Sequence, residues 1–329
     1  MAQPEGDVMS APVLVTGAAG FVGGHLLDLL TNSPSPDSPG ASRCEVVAWH
    51  RPGRTAPADG LAVRWEAVDM MDQPAVMDAI ARLKPGLVYH CAGAAHVGRS
   101  WAQSEAAFAV NVRGTHNLLD ALCRANATTR VLIPGSALVY RPANDAMNED
   151  HPLGPSSPYG LSKLAQELVG RHANGADVQV LIARAFNHVG PRQDPAFSTS
   201  GFARQIAMIE AGLTRPEILV GNLDAERDLT DVRDTVRAYE LIATRGVPAR
   251  PYNVCSGHAL TIGEVLTMLV ARARVPVQVR VDPARFRPND VAVVRGDPRR
   301  LQRELGWAPT VPLETTLADV LDYWRTKVA

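Results

Sequence analysis

The residues best suited to acid–base chemistry are Tyr159 and Lys163, in the segment PYGLSK at positions 158–163. Apolar residues recur at helical spacing just after this segment, so the two side chains are predicted to lie one turn apart on the same face of a helix. A neighbouring ammonium favours a phenolate and is expected to lower the pKa of the Tyr159 hydroxyl. The pair therefore indicates a general acid or base.

The use of lysine supports this interpretation. The chain has 33 Lys and Arg residues, but its only lysines are Lys84, Lys163 and Lys327. With 6 tyrosines in 329 residues, only ~0.05 such Tyr–Lys pairs are expected by chance. The alternative is two surface side chains at this spacing, but a lysine in an arginine-rich chain indicates that a compact point charge is needed here.

A glycine-rich loop near the N-terminus predicts a dinucleotide site. An apolar strand at 12–15 leads directly into the loop, and a helix follows it. In this context, glycines allow a tight turn, close approach of a pyrophosphate to the backbone and packing of the helix on the strand. The predicted pyrophosphate-binding residues are Gly17, Gly20, Phe21, Val22 and Gly23.

The end of the second predicted strand, at 45–51, favours NADP(H). A site selective for NAD usually places Asp or Glu there to bind the adenosine ribose. This chain has His50, followed by Arg51 and Arg54, and guanidinium groups suit a 2′-phosphate. The alternative is that both arginines are only solvated.

Strands alternate with helices up to about residue 185, which predicts an α/β fold with a doubly wound, parallel Rossmann sheet. Ligands bind such sheets beyond the carboxyl ends of the strands. Ser136 follows the predicted strand at 130–133 and can converge there with Tyr159. The other predicted cofactor contacts at strand ends and in the long helix at 104–125 are Asp69, Met70, Cys91, Ala92, Gly93 and Asn111.

The regular alternation of predicted strands and helices ends after Ala185. We predict a disordered N-terminus at 1–11, a dinucleotide-binding Rossmann domain at 12–185, and a smaller C-terminal α/β substrate-binding region at 186–329 that does not fold independently.

Composition excludes several classes of function. A net charge of −1 argues against a nucleic-acid partner, and four cysteines without C-x-x-C spacing indicate a reduced, cytoplasmic protein. No apolar run is long enough for a membrane span. The nine histidines are scattered, so we predict no metal site.

Together, the glycine loop, Ser136 and the Tyr159–Lys163 pair resemble the extended short-chain dehydrogenase/reductase family, in the branch that acts on nucleotide sugars. Four C-terminal segments resemble its GDP-mannose 4,6-dehydratase and GDP-6-deoxy-4-keto-mannose reductase group, and the reductases more closely. These segments are ARAFNHVGP at 183–191, GNLDAERD at 221–228, YNVCSG at 252–257 and RFRP at 285–288. The resemblance implies that Ser136, Tyr159 and Lys163 are catalytic. It also implies that the substrate is bound by His96, Ser136, Asn187, Arg227 and Arg287.

One position bears on the reaction that the resemblance implies. The dehydratases carry a carboxylate base two residues before the tyrosine that aligns with Tyr140, and here that residue is Leu138. Leucine cannot remove a proton, so dehydration is disfavoured and ketone reduction is expected. A second departure is Pro134-Gly135, where small hydroxyl residues usually precede the catalytic serine.

The sequence therefore predicts NADPH-dependent reduction of the 4-keto group of a nucleotide-linked 4-keto-6-deoxy sugar, such as GDP-4-keto-6-deoxy-mannose to GDP-rhamnose. The alternatives are a ketoreductase acting on a natural-product ketone, a nucleotide-sugar 4-epimerase or 4,6-dehydratase, and a non-catalytic NADP-binding regulator. Family members often pair two helices in a four-helix bundle, which implies a homodimer built from the helices at 104–125 and 161–172.

Overall fold

The framework of the protein is a seven-stranded sheet with flanking helices, seen in a computed structural model that describes residues 11–32, 44–53, 61–125, 127–286 and 291–328. The strands in chain order are β1 (Val13–Thr16), β2 (Val46–His50), β3 (Arg64–Ala67), β4 (Leu87–His90), β5 (Thr129–Pro134), β6 (Val178–Ala185), β7 (Asn187–Val189), β8 (Glu217–Val220), β9 (Glu226–Asp231), β10 (Pro251–Val254), β11 (Ala259–Thr261), β12 (Gln278–Val281) and β13 (Val293–Val294).

The helices alternate with the strands through most of the chain. They are α1 (Phe21–Asn32), α2 (Gln73–Leu83), α3 (Val97–Ala102), α4 (Ser104–Phe108), α5 (Gly114–Arg124), α6 (Pro158–Ala173), α7 (Ser198–Glu210), α8 (Val232–Arg245), α9 (Ile262–Val270), α10 (Arg299–Leu305) and α11 (Leu313–Val328). A π-helical turn, Ala109–Arg113, joins α4 to α5, and short 3₁₀ turns occupy Ala137–Val139 and Pro283–Arg285.

The large sheet has the strand order β10-β6-β5-β4-β1-β2-β3. The pairs from β6 to β3 are all parallel, so the strand order reverses between β1 and β4, as in a doubly wound dinucleotide-binding sheet. The predicted fold class is therefore confirmed. Its core includes the fully buried side chains Leu14, Val47, Val88, Leu118 and Val131.

The chain divides into two compact units, and both are discontinuous in sequence. The first contains the described residues of Met1–Val139, Ser157–Arg184 and Val236–Tyr252, and the second those of Tyr140–Ser156, Ala185–Thr235 and Asn253–Ala329. This division differs from the predicted single boundary at 185, because the chain returns to add β10 beside β6. The N-terminal segment predicted to be disordered lies, except for Ala11, outside the described residues.

The second unit has its own core and two small sheets. Strands β11, β9 and β13 pair in that order, with β7 also on β9, and β12 pairs with β8. Helices α7, α9 and α11 supply buried residues such as Phe202, Leu266 and Leu317 to its core. Helix α9 begins at a capping box, in which Thr261 and Glu264 satisfy each other's backbone N–H groups.

Local sequence explains the helix that matters most for the site. Ser157 has extended backbone and its Oγ accepts a hydrogen bond from the Gly160 N–H at 3.1 Å, while Pro158 takes the first helical position. Helix α6 therefore begins one residue before Tyr159.

Within the described residues, no helix combines the length and apolarity that a membrane crossing would require.

Candidate active site

Tyr159 and Ser136 come together within the first unit. Ser136 follows β5 and is 6% exposed, and its side chain is hydrogen-bonded to that of Tyr159. The Ser136 Oγ also accepts the Leu138 N–H at 3.1 Å, which orients the hydroxyl. A serine and a tyrosine that share a hydrogen bond can both contact one substrate oxygen.

The pKa of Tyr159 lies above its usual value because the hydroxyl is desolvated, and the hydrogen bond with Ser136 opposes this shift. The prediction that Lys163 lowers the pKa of Tyr159 is therefore wrong for the protein as seen here. The physical reason is the direction of the Lys163 ammonium, which donates to Oε1 of Gln166. The phenol keeps its proton at neutral pH, as a proton donor requires.

Lys163 is 8% exposed, and burial lowers its pKa to about 8. Its partner Gln166 lies three residues further along α6 and is 1% exposed. The Gln166 Nε2 donates to Thr115 Oγ1 on α5 at 2.8 Å. The catalytic lysine predicted from the sequence is thus held by a neutral amide and not by a carboxylate.

The hydrogen bonds continue from Thr115 to the glycine loop. His90 at the end of β4 contacts Thr115 Oγ1 through Nε2 at 2.8 Å and Thr16 Oγ1 through Nδ1 at 2.9 Å. Thr16 immediately precedes Gly17, and its Oγ1 accepts the Ala92 N–H at 3.2 Å. Burial lowers the pKa of His90 to about 3, so the imidazole is neutral at physiological pH.

The glycine loop fits the pyrophosphate of a dinucleotide. Gly17 has φ +64°, and a Cβ there would lie 2.6 Å from the Ala92 backbone nitrogen. A Cβ on Gly23 would lie 2.4 Å from the Gly17 carbonyl oxygen, and one on Gly20 would lie 3.0 Å from it. Because α1 begins at Phe21, the N–H groups of its first turn, which includes Val22, are presented directly after this loop.

The predicted adenosine-binding residues lie at the carboxyl ends of β2 and β3. His50 ends β2 and its Nδ1 contacts the Arg51 carbonyl oxygen at 3.1 Å, while the Arg51 side chain is exposed. Beyond β3, Oδ1 of Asp69 accepts a backbone N–H at 2.9 Å and Met70 is buried. Arg54 lies outside the described residues.

Asn111 lies in the π-helical turn and is fully buried. Its Oδ1 accepts the Ala94 N–H at 2.8 Å, and its Nδ2 donates to Ser162 Oγ at 2.9 Å. A Cβ on Gly93 would lie 2.9 Å from that Oδ1. The amide therefore joins α6 to the segment after β4, and its predicted contact with the cofactor stays a prediction.

Small residues follow β4, as a nucleotide-binding strand end requires. Ala92 is close to Gly17, and Cys91 just before it has a pKa raised to about 12 by burial. The thiol is therefore neutral and packs as a small apolar side chain.

The predicted substrate residues are placed on several elements. His96 comes just before α3, and its carbonyl oxygen accepts the Ser100 N–H at 3.1 Å. In the second unit, Asn187 is exposed on β7, which pairs with the strand that carries Arg227. The Nη1 of Arg227 donates to the carbonyl oxygen of Val291 at 2.8 Å, among other carbonyl oxygens. Arg287 lies outside the described residues, and the binding roles of all four stay predictions.

No group of three or more His, Cys, Asp or Glu side chains suited to a metal ion occurs in the part of the chain that the structure describes.

The sequence did not indicate that Gln166, Thr115, His90 and Thr16 belong to the site. Only the spacing of Gln166, three residues after Lys163 on a helix, could have indicated a contact.

The chain is similar to known enzymes over almost its whole length. The family model described as GDP-mannose 4,6 dehydratase matches residues 14–320. The GDP-6-deoxy-D-mannose reductase of Pseudomonas aeruginosa is 32% identical, over 97% of this chain and 99% of its own. The dTDP-glucose 4,6-dehydratase of Streptomyces griseus is 30% identical, over 96% of this chain and 95% of its own.

Among solved structures, RMD from Pseudomonas aeruginosa in complex with NADPH has a TM-score of 0.83 and 30% sequence identity, and the match covers 97% of this chain and 100% of that one. A reductase and a dehydratase are thus almost equally similar in sequence, so identity alone does not distinguish the reactions. The matches agree on a common class of enzymes, the oxidoreductase-type enzymes of nucleotide sugars. The chain belongs to the GDP-mannose 4,6-dehydratase family, within the extended short-chain dehydrogenases/reductases.

Proposed function

We propose that the protein is an NADPH-dependent reductase of the 4-keto group of a nucleotide-linked 4-keto-6-deoxy sugar, converting GDP-4-keto-6-deoxy-mannose to GDP-rhamnose. Two similarities support this proposal: the reductase from Pseudomonas aeruginosa and the NADPH in the structure of RMD. The observation that carries the proposal is the turn that follows Ser136.

This 3₁₀ turn, Ala137–Val139, consists of Ala, Leu and Val and offers no ionisable side chain. Its middle residue, Leu138, is half-buried and uses its N–H to orient Ser136. Loss of water next to a ketone requires a base for the C–H proton, and this turn supplies none. Reduction of a ketone requires only one proton donor, and Tyr159 can serve.

Each catalytic side chain has one role in the proposed reduction. NADPH, when bound, supplies the hydride. Tyr159, which keeps its proton because its pKa is raised, donates that proton to the developing alkoxide. Ser136 hydrogen-bonds the same oxygen and orients it. Lys163 binds the nicotinamide ribose and contributes positive charge beside it.

The cofactor is held by backbone groups and by the side chains that follow β2. The glycine loop and the first turn of α1 bind the pyrophosphate. His50 and Arg51 lie where a carboxylate would favour NAD, and the exposed Arg51 guanidinium is available for a 2′-phosphate.

The test is oxidation of NADPH, followed at 340 nm, with GDP-4-keto-6-deoxy-mannose, and identification of the sugar product by NMR. We expect turnover that Tyr159→Phe abolishes. The matched control is Tyr323→Phe, because Tyr323 lies on α11 near the C-terminus and contacts Trp324 and Lys327. Tight NADPH binding without oxidation on any 4-keto sugar nucleotide would refute the proposal.

A second candidate is reduction of a ketone outside sugar metabolism. The half-buried Leu138 and Pro134, which ends β5, make the surroundings of Ser136 more apolar than a sugar requires. The same assay with a panel of cyclic and aromatic ketones distinguishes the two. Turnover with these and not with keto sugars would favour the second candidate.

A further inference from the structure

A buried column of polar side chains connects Lys163 to the glycine loop. It comprises Gln166, Thr115, His90 and Thr16, each at most 2% exposed. Such groups are costly to bury unless their hydrogen bonds are complete. None of them is required by the glycine fingerprint or by the Tyr159–Lys163 pair, so the column needs an explanation of its own.

The hydrogen bonds of this column can run in only one direction. Thr115 Oγ1 donates to the Asn111 carbonyl oxygen at 2.6 Å, so its remaining contacts must be accepted. His90 therefore donates from Nε2 to Thr115, and its unprotonated Nδ1 accepts the Thr16 hydroxyl. Thr16 in turn accepts the Ala92 N–H. Every donor along this path has one acceptor.

The direction of these hydrogen bonds determines the orientation of the Gln166 amide. Because the one hydroxyl proton of Thr115 is donated to Asn111, Thr115 can only accept from Gln166, and Gln166 must point Nε2 towards it. The amide oxygen is then left facing Lys163, whose ammonium donates to it. A reversed amide would place two donors against the ammonium and leave Thr115 facing an oxygen that cannot donate. The column thus fixes which end of Gln166 faces the lysine.

We propose that Gln166 is the positioning residue of Lys163, held in its working orientation by Thr115, His90 and Thr16. This inference rests on the proposed function, since it assigns Lys163 to cofactor binding. In this role the Gln166 amide keeps the ammonium charged and aimed while adding no negative charge that would neutralise it. The column also links this lysine to Thr16, next to the pyrophosphate-binding Gly17.

Few other groups compete for this role. The titratable groups whose charge couples to Lys163 from the neighbouring β4 segment are His90 and Cys91, and burial keeps both neutral. Glu167 on the same helix is bound to Arg184 and Arg171. Tyr159, one turn away, keeps its proton.

The test titrates Lys163 in the free protein. Lysine carrying ¹³C at Cε gives only three signals, because the chain contains only Lys84, Lys163 and Lys327. The Lys163 signal is identified with Lys163→Met. We expect Gln166→Leu to lower the pKa of Lys163 by at least about one pKa unit, because the ammonium loses its acceptor. Gln166→Glu should raise it, because the new carboxylate favours the charged form.

Two further variants separate positioning from a general loss of packing. Thr115→Val keeps Gln166 but frees its amide to turn, and should lower the pKa of Lys163 less than Gln166→Leu does. Gln205→Leu removes a half-buried glutamine that bonds Leu219 in the second unit, and should leave Lys163 unchanged. If Gln166→Leu does not fold, Gln166→Glu and Thr115→Val decide the question.

The proposal is overturned if the pKa of Lys163 moves by less than about 0.2 pKa units in the Gln166 variants, or if Gln205→Leu moves it equally. A second measurement follows NADPH binding by fluorescence at pH 7, where Gln166→Leu should weaken binding about tenfold. The titration needs neither NADPH nor a keto sugar. It therefore gives its answer even if the proposed reduction is wrong.

Discussion

Replacing Lys163 by methionine should change how the free energy of unfolding depends on pH, because the buried ammonium opposes folding only where it is charged. Its pKa is about 8 in the folded protein against an ordinary 10.5. Between these pH values the unfolded chain binds more protons than the folded protein, so the stability of the wild type rises with pH. The lysine therefore lowers stability fully below pH 8, and this effect disappears above pH 10.5.

The magnitude follows from the size of this difference in pKa. At about 1.4 kcal/mol for each pKa unit, the ammonium lowers the free energy of unfolding by roughly 3 kcal/mol at neutral pH. Lys163→Met removes this contribution but leaves Oε1 of Gln166 without its donor, which costs about 1–3 kcal/mol at every pH. The net gain at pH 7 is therefore small, whereas the dependence on pH is large.

The assay is urea unfolding of the wild type and Lys163→Met at several values from pH 7 to 11, without cofactor. The free energy of the variant minus that of the wild type should fall by about 3 kcal/mol across this range. Other groups that titrate there are common to both proteins and cancel. The exposed Lys327 on α11 provides the control, since Lys327→Met should give a difference of less than about 0.5 kcal/mol at every pH. A difference for Lys163→Met that does not change with pH would refute the reasoning.

Three other predictions concern the same framework. Glu167→Gln leaves the buried guanidinium of Arg184 without its bidentate partner and should lower the free energy of unfolding by about 3–5 kcal/mol, measured by urea unfolding. Glu45→Gln, at the exposed ion pair with Arg64, should lower it by less than about 1 kcal/mol. Equal losses in the two variants would contradict this. Arg51→Glu should raise the NADPH dissociation constant at least about tenfold with little effect on NADH, and a parallel change in both cofactors, measured by fluorescence, would argue against a 2′-phosphate contact. Leu161 and Leu168, 50% and 56% exposed on α6, should lie in the predicted homodimer interface, so replacing both by Glu should convert a dimer to a monomer in analytical ultracentrifugation. A monomeric wild type, or a double variant that stays dimeric, would contradict this interface.

The parts of the fold that follow from periodicity could be predicted from the sequence. The glycine loop lies between β1 and α1 as its spacing indicates, and the predicted strands at 45–51 and 130–133 correspond to β2 and β5. Short elements such as β7 and β11 were missed, because three residues carry no periodic signal. The π-helical turn at Ala109–Arg113 was missed because it continues the apolar pattern of the helices on both sides.

In the candidate site, the positions of the main residues could be predicted from the sequence, but the directions of their side chains could not. Ser136 and Tyr159 could be placed together because strand ends and helix starts converge at one edge of a parallel sheet. The direction of the Tyr159 pKa was predicted incorrectly, because spacing along a helix does not reveal where an ammonium points. Gln166 accepts from Lys163 only because Thr115, distant in sequence, occupies its other end. Such a contact depends on the packing of α5 against α6.

Helix α6 also shows why a neutral partner suits the lysine. Glu167 lies one turn from Lys163, and a contact between them would raise the pKa of the ammonium. Instead both Glu167 oxygens are taken by Arg184, at 3.0 and 2.7 Å, and the pKa of Lys163 is lowered. An ammonium bound to a carboxylate would have to break an ion pair to contact a ribose hydroxyl. An ammonium that donates one hydrogen bond to a neutral amide keeps its charge and two further N–H donors. Under the proposed function, burying Lys163 without a counter-ion therefore lowers stability but leaves its charge available for the cofactor.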